Sequence, residues 1–400
     1  MKRICCFILA MVIALSCPVM CFAGASKDEI EALRGTKLYV YNWGEYISDG
    51  EDDSMDVNAE FEKRYGIKVV YNTFDNNESM YAKLQGGGVS YDILIPSDYM
   101  VERMINEGML EKLDYSNIPN YKYIDERYKG MAYDPDEEYS VPYNVGMVGL
   151  IYNKTLVEEP PTKWTAMWDE RYTDSVLMFN NPRDAFAIAQ SVLGLDYNTE
   201  YPGDWIAAAE ELKRQKKVVQ SYVNDEVFNK MESGEAALAA YYAGDYLSMA
   251  DVNPDLGFVY PEECVNIFVD AMCIPKGSPN KLAAELYINF MLEPDVALAN
   301  AEYICYASPN TTVINNPDYT YYQDEILYPE VYPNTQIYIN LSDDSLSLMN
   351  ELWDDVKSYN SSGEDASARN YNYTIYLIVF FAICLAFIIF KKIQKKRREF

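Results

Sequence analysis

From Thr36 onward the chain alternates short apolar runs of strand character with helical stretches, and this alternation restricts it to an α/β fold. Residues 38–41 read as a strand, 55–65 as a helix and 67–71 as extended chain; a helix at 79–85 then stops at Gly86-Gly87-Gly88. Residues 91–96 read as a buried strand whose C-terminal edge delivers Ser97, Asp98 and Tyr99, with helix resuming over 100–108. Ligands in open α/β sheets bind beyond such strand ends. The first strand runs into Trp43-Gly44-Glu45-Tyr46, two aromatics and a carboxylate at a glycine break, where a cleft would open.

Farther along, 140–143 is a short extended stretch followed by glycines at 146 and 149, and a second unit is expected to start after it. Spacing predicts helices over 205–215 and 227–240, an apolar strand over 268–275 and a helix over 281–292. Residues 358–369 are polar and aperiodic, as in a flexible linker. There is no internal repeat of fixed period.

Both ends carry targeting patterns. Lys2-Arg3, an apolar run over 4–15 and the small residues Ala23-Gly24-Ala25 form a secretory signal over 1–25, with the mature chain starting near Ser26. A lipoprotein cut before Cys17 is the alternative, on the loose lipobox Ala14-Leu15-Ser16-Cys17. Residues 373–390 are almost wholly apolar and, at about 1.5 Å per residue, long enough to span a hydrocarbon core. Tyr371, Tyr373 and Tyr376 stand at one boundary and a basic tail over 391–400 at the other, which puts the tail in the cytoplasm. The expectation is a single-pass cell-membrane protein with an extracytoplasmic domain.

The 400 residues have a formal charge of -29, and the basic leader and tail make the part between them more acidic still. Such a surface concentrates cations and repels nucleic acid, although solubility alone would also account for it. Histidine is absent, which removes Ser-His-Asp and Cys-His nucleophilic sites and every His-ligated metal site. Phosphate-cradling and dinucleotide glycine motifs and the G-x-S-x-G elbow are also missing. The acidic run from Asp49 to Asp56 breaks the EF-hand ligand spacing. Paired carboxylates could serve a glycosidase, but nothing singles out one pair. Cys264, Cys273 and Cys305, the cysteines outside the leader and the apolar span, form neither a disulfide framework nor a zinc site, with one bridge optional. No enzyme activity, cofactor or metal is expected; excess acid and many aromatics point to an organic cation.

Several segments, in order and spacing, resemble the spermidine/putrescine-binding proteins of bacterial ABC importers. They are Tyr41-Asn-Trp-Gly-Glu-Tyr46, Phe61-Glu-Lys-Arg-Tyr-Gly-Ile-Lys-Val69, Asn77-Glu-Ser-Met-Tyr-Ala-Lys-Leu84, Tyr91-Asp-Ile-Leu-Ile-Pro-Ser97, Tyr139-Ser-Val-Pro-Tyr143 and Tyr303-Ile-Cys-Tyr-Ala-Ser-Pro-Asn310. The resemblance implies a two-lobed periplasmic-binding fold of type II with hinge crossings. The first lobe would hold 36–143 and 270–314, the second 144–269 and 315–357, then a linker over 358–372 and the membrane helix. It implies a polyamine ligand and separate permease and ATPase partners, with no nucleic acid.

The resemblance further places Trp43, Tyr46, Ser97 and Tyr99 on one lobe, Asp184, Tyr242, Asp245 and Phe268 on the other, and Asp270 and Tyr306 near the crossings. Asp270, two residues after an aromatic on an apolar strand, is the first choice to grip an ammonium, because a charge buried there is costly unless paired. Trp43 and Tyr242 would wall the methylene chain. Spermidine-binding members carry an acid and tryptophans where this chain has Asn181, Tyr242 and Phe268, whereas Tyr242-Ala-Gly-Asp245 resembles the putrescine-binding branch. Putrescine is therefore expected to bind well and spermidine variably. Beyond Asn316 the resemblance is poor, and Gln336 and Asn340 are left unassigned. A surface-tethered sensor or a receptor for another organic cation is the competing reading.

Overall fold

The computed structural model describes residues 24–87, 90–331 and 333–359. The expected signal up to residue 23, the apolar stretch 373–390 and the basic tail lie outside the described residues. Among the described residues, no helix is long and apolar enough to cross a membrane.

Ten strands form the sheet: β1 (Lys37–Trp43), β2 (Lys68–Phe74), β3 (Ile93–Leu94), β4 (Ser140–Asn153), β5 (Val176–Phe179), β6 (Val219–Val223), β7 (Leu238–Tyr242), β8 (Leu256–Val259), β9 (Val265–Cys273) and β10 (Thr335–Gln336). Their order is β2-β1-β3-β9-β4-β7-β5-β6, with β10 beside β9 and β8 beside β4. At one end β1 pairs in parallel with β2 along its length and with β3. At the other, β5 lies parallel to both β6 and β7. Parallel strands need helical crossovers, and these supply the apolar faces that cover the sheet.

Two of the apolar clusters mark two lobes, and a third, with Leu94, Tyr99, Val145, Ala187 and Ala243, lies across their join. Leu38, Val40, Phe61, Tyr287 and Phe290 pack in the first. Leu150, Leu177, Phe186, Trp205, Leu238 and Trp353 pack in the second. The join is β4, buried at all its 14 residues. Its first half pairs antiparallel with β9, from Ser140↔Cys273 to Met147↔Ile267. Its second half pairs with β7, from Val148↔Tyr242 to Tyr152↔Leu238. One strand thus belongs to both lobes, and the extended stretch expected at 140–143 continues unbroken past 143. Gly146 sits inside it because the Phe268 ring lies on its backbone: a Cβ there would come within 2.3 Å of that ring.

The helix expected over 227–240 is a correction. Helix covers only Glu226–Glu232, Gly234 takes a left-handed φ of 75°, and the small apolar run after it enters the sheet as β7. Ala239 and Ala240 favour helix by propensity, but the segment is buried and flanked by β4 and β5, and its backbone finds its ladder partners there. The strand expected over 91–96 pairs in the ladder only at Ile93–Leu94, and Ser358, expected in a linker, closes a helix instead, the rest of that linker beyond Tyr359 lying outside the described residues. Cys264, Cys273 and Cys305 are free and buried.

That last helix, Asp343–Ser358, starts at Ser342, whose hydroxyl accepts the Ser345 N–H, and turns Met349, Trp353 and Val356 inward. Trp353 meets Phe186 and Tyr222 edge-on, with ring centroids 6.4 Å and 5.3 Å away. Trp353→Ala is expected to destabilise the protein by about 3–5 kcal/mol through the cavity it leaves, read as a lower urea midpoint at unchanged slope.

Candidate functional site

Three helices begin where strands of the sheet end, and each carries an aspartate in its first turn: Asp98 after β3, Asp184 after β5 and Asp245 after β7. Helix N-termini favour negative charge, so the topology gathers carboxylates at one edge of the sheet. Asp98 faces inward, accepting the N–H groups of Tyr99 and Val269, and thereby ties its helix to β9. The other two line a cleft between the lobes.

Every residue singled out from the sequence lines this cleft: Trp43, Tyr46, Ser97 and Tyr99 from the first lobe, Asp184, Tyr242 and Asp245 from the second, with Phe268 and Asp270 on β9 and Tyr306 beside them. No lysine or arginine lines it. Among the described residues, no group of His, Cys, Asp or Glu is arranged to hold a metal ion.

Asp270 is 3% exposed. Its Oδ2 accepts the Tyr46 hydroxyl at 2.7 Å, while Oδ1, equally buried, has no hydrogen-bond partner. Burial pushes this carboxyl up to about 6, with the hydroxyls of Tyr46, bonded to it, and of Ser97, nearby, opposing. Asp184, which lines the same cleft, accepts the hydroxyls of Tyr242 and Tyr338 and the side-chain amide of Asn181, at 2.8, 2.9 and 2.8 Å. Burial raises it to about 6 as well, with the Tyr242 and Tyr338 bonds opposing. Asp245 accepts the Tyr306 hydroxyl at 3.0 Å, and burial lifts it to about 8, aided by Asp225, Glu45 and Asp270. Near neutral pH the cleft therefore holds Asp184 and Asp270 ionised and Asp245 largely protonated.

Between the carboxylates stand aromatic rings. Tyr46 and Tyr306 meet edge to face at 5.0 Å, Tyr242 meets Phe268 at 5.4 Å, and the Trp43 indole donates to the Ile95 carbonyl at 2.8 Å while tilting onto Phe74. Asn77 holds both Ser97 and Tyr99 through its side-chain amide. Such rings favour cations and methylenes alike.

Sequence reasoning missed Tyr338 and Asn77, and also Asp225 and Asp75 at the mouth. Tyr338 falls in the stretch beyond Asn316 where the resemblance fades; the alternation Ile337-Tyr338-Ile339 just after the residues of β10 was its only local signal. Gln336, left unassigned, accepts the Tyr197 backbone N–H instead of facing the cleft. Asn181, where relatives were expected to carry an acid, caps its helix and donates to Asp184.

An unpaired buried carboxylate destabilises the fold that holds it. Asp270 binds its proton more tightly in the folded chain, at about 6 against 3.8 unfolded, so its stability penalty is absent below the lower value, grows between the two and is complete above the higher. Asp270→Asn is expected to stabilise the ligand-free protein at pH 8 by up to about 3 kcal/mol and to change little at pH 4. Urea denaturation at the two pH values measures the difference; an equal effect at both would count against it.

The model of the bacterial extracellular solute-binding protein family matches residues 57–327. A spermidine/putrescine-binding periplasmic protein of Salmonella typhimurium is 35% identical over 297 residues, 73% of this chain and 83% of that protein. A putrescine-binding periplasmic protein of Escherichia coli is 29% identical over 68% of this chain and 78% of its own length. The solved spermidine/putrescine ABC transporter substrate-binding protein of Streptococcus pneumoniae superposes with a TM-score of 0.67 at 33% identity, covering 81% of this chain and 99% of that one.

Proposed function

The chain belongs to the bacterial extracellular solute-binding proteins, and from that premise we propose that it captures a polyamine outside the cytoplasm, putrescine in preference to spermidine, and hands it to an ABC permease and ATPase. The observation that carries the reading is the orphaned Oδ1 of Asp270, a buried acceptor facing an aromatic cleft with no side-chain cation. Leaving such a group unpaired is costly, and an ammonium supplies both the charge and the donors it lacks. A second ammonium meets Asp184 in the same cleft, and the rings of Trp43, Tyr242 and Phe268 cover the methylenes between. Two ionised carboxylates balance a diamine; a triamine has to draw the proton from Asp245. The lobes swing about β4 and β9 to admit the ligand.

The purified full-length chain, heated with putrescine, spermidine, spermine or magnesium, tests this. A polyamine at 100 times its dissociation constant is expected to add about 2.7 kcal/mol to the folded state, with no response to magnesium and a weak one in Asp270→Asn. Equal shifts with all four cations would reduce the finding to a response of the acidic surface. In competition, spermidine winning by more than about tenfold would overturn the preference for putrescine.

The tether is a further part of the proposal and rests on sequence pattern: the apolar stretch 373–390, the basic residues behind it and the tyrosines before it. A tethered receptor stays at high effective concentration beside its transporter. After carbonate extraction the full chain is expected in the membrane pellet, and a chain stopped at Tyr359 in the soluble fraction. Recovery of both in the soluble fraction would remove the tether.

A further inference from the structure

Arg183 stands immediately behind the carboxylate of Asp184, outside the cleft, and its surroundings are unusual for an arginine. It is 2% exposed and lies in the first turn of the helix Pro182–Leu193, where the helix dipole opposes a cation. One terminal nitrogen, Nη2, donates to the Asn198 side chain at 2.7 Å and the Ile339 carbonyl at 3.2 Å; Nε and Nη1 have no partner. The guanidinium carbon lies 4.7 Å from the Tyr338 ring centre and 5.6 Å from that of Tyr99. Packing alone does not call for a buried charge here, since an apolar side chain of similar volume would avoid the desolvation cost.

What the charge does follows from its two ring neighbours. Tyr338 donates its hydroxyl to Asp184, and Tyr99, reaching over from the first lobe, donates to Glu78. We propose that Arg183 is a positioning residue for the polyamine site: packed beside the edge-to-face pair of Tyr99 and Tyr338, whose ring centres are 5.8 Å apart, it fixes the tyrosine that donates to Asp184 and supplies the positive charge that keeps this carboxylate ready for an ammonium. The inference rests on the polyamine reading.

The charged groups facing Asp184 are Arg183, which favours ionisation, and Glu78 and Asp270, which oppose it. The tyrosines around it, 99, 242 and 338 with 197 and 241 beyond, are all raised by burial and stay neutral through the physiological range. Loss of Arg183 therefore moves the titration of Asp184 upward from about 6, toward neutral pH. The ligand must then displace a proton that the native protein has already released.

Calorimetric titration of putrescine into wild type, Arg183→Met, Arg183→Gln and Arg183→Lys from pH 5.5 to 8.5 decides the matter. The loss of affinity in the neutral variants is expected to grow from under about threefold at pH 8.5 to over about tenfold at pH 6.5. Paired buffers of different ionisation enthalpy should show extra proton release at pH 7, and Arg183→Lys should return the profile toward wild type. A loss of constant size at every pH, or no loss, would overturn the role of Arg183. If Arg183→Met does not fold, Arg183→Gln, which keeps polar hydrogen bonding without the charge, carries the same comparison. Wild-type protein that binds no polyamine would instead overturn the functional reading on which the inference stands.

Discussion

The antiparallel pairing of β4 with β9 is the constraint on which the rest of the structure depends. β4 leaves the first lobe and enters the second as one strand, with a register shift between Pro142 and Asn144, and β9 runs beside its first half carrying Phe268 and Asp270. Two strands bonded to each other cannot slip by one residue without turning Asp270 from the cleft to the opposite face. The ladder therefore sets the position of Asp270, the seating of the Phe268 ring on Gly146 and the axis along which the two lobes join. Tyr306 and its neighbour Ala307 join the same framework, since Ala307 bridges to Val145 on β4.

Around that axis the protein accepts an electrostatic cost. Asp184, Asp245 and Asp270 face one cleft, each raised by burial, and the cleft wall contains no cation. Hydroxyls from Tyr46, Tyr242, Tyr306 and Tyr338 recover part of what water would have supplied. They do not recover all of it, because Asp270 keeps a bare oxygen. Tyrosine suits this role: it donates a hydrogen bond through its hydroxyl and offers an apolar face to a methylene chain without adding charge. Under the proposed function, that residual deficit is what a bound ammonium would relieve.

Much of the site was legible before any coordinates. Trp43 and Tyr46 mark a strand end at a glycine break, and Ser97 and Tyr99 mark the end of β3; both are local patterns that survive folding. Asp270 stands out as a charge inside an apolar run. Tyr338 and Asn77 were not legible, because Tyr338 comes from a distant, irregular segment and Asn77 is an ordinary residue at a helix start. The failure at 227–240 has a similar origin: Ala236 to Ala240 carry no period that separates a helix from a strand buried on both faces, and their neighbours β4 and β5 decide between the two.

The sequence by itself determined the α/β class, the acidic and histidine-free chemistry, the lack of common catalytic motifs and the identity of the residues that approach the cleft. The first three depend on composition and local periodicity, whereas Asp184, Tyr242, Asp245, Phe268 and Tyr306 came only through the resemblance to a family. Only the tertiary structure decided that Asp184 and Asp270 line one cleft, that Asp270 keeps an unpaired oxygen, and that Arg183 is buried without joining the lining. These are distances between residues far apart in sequence, set by the pairing of β4 with β7 and β9 and by the burial that follows. Whether a carboxylate is solvated, shared with a tyrosine or left bare is a property of that packing, and no residue carries it alone.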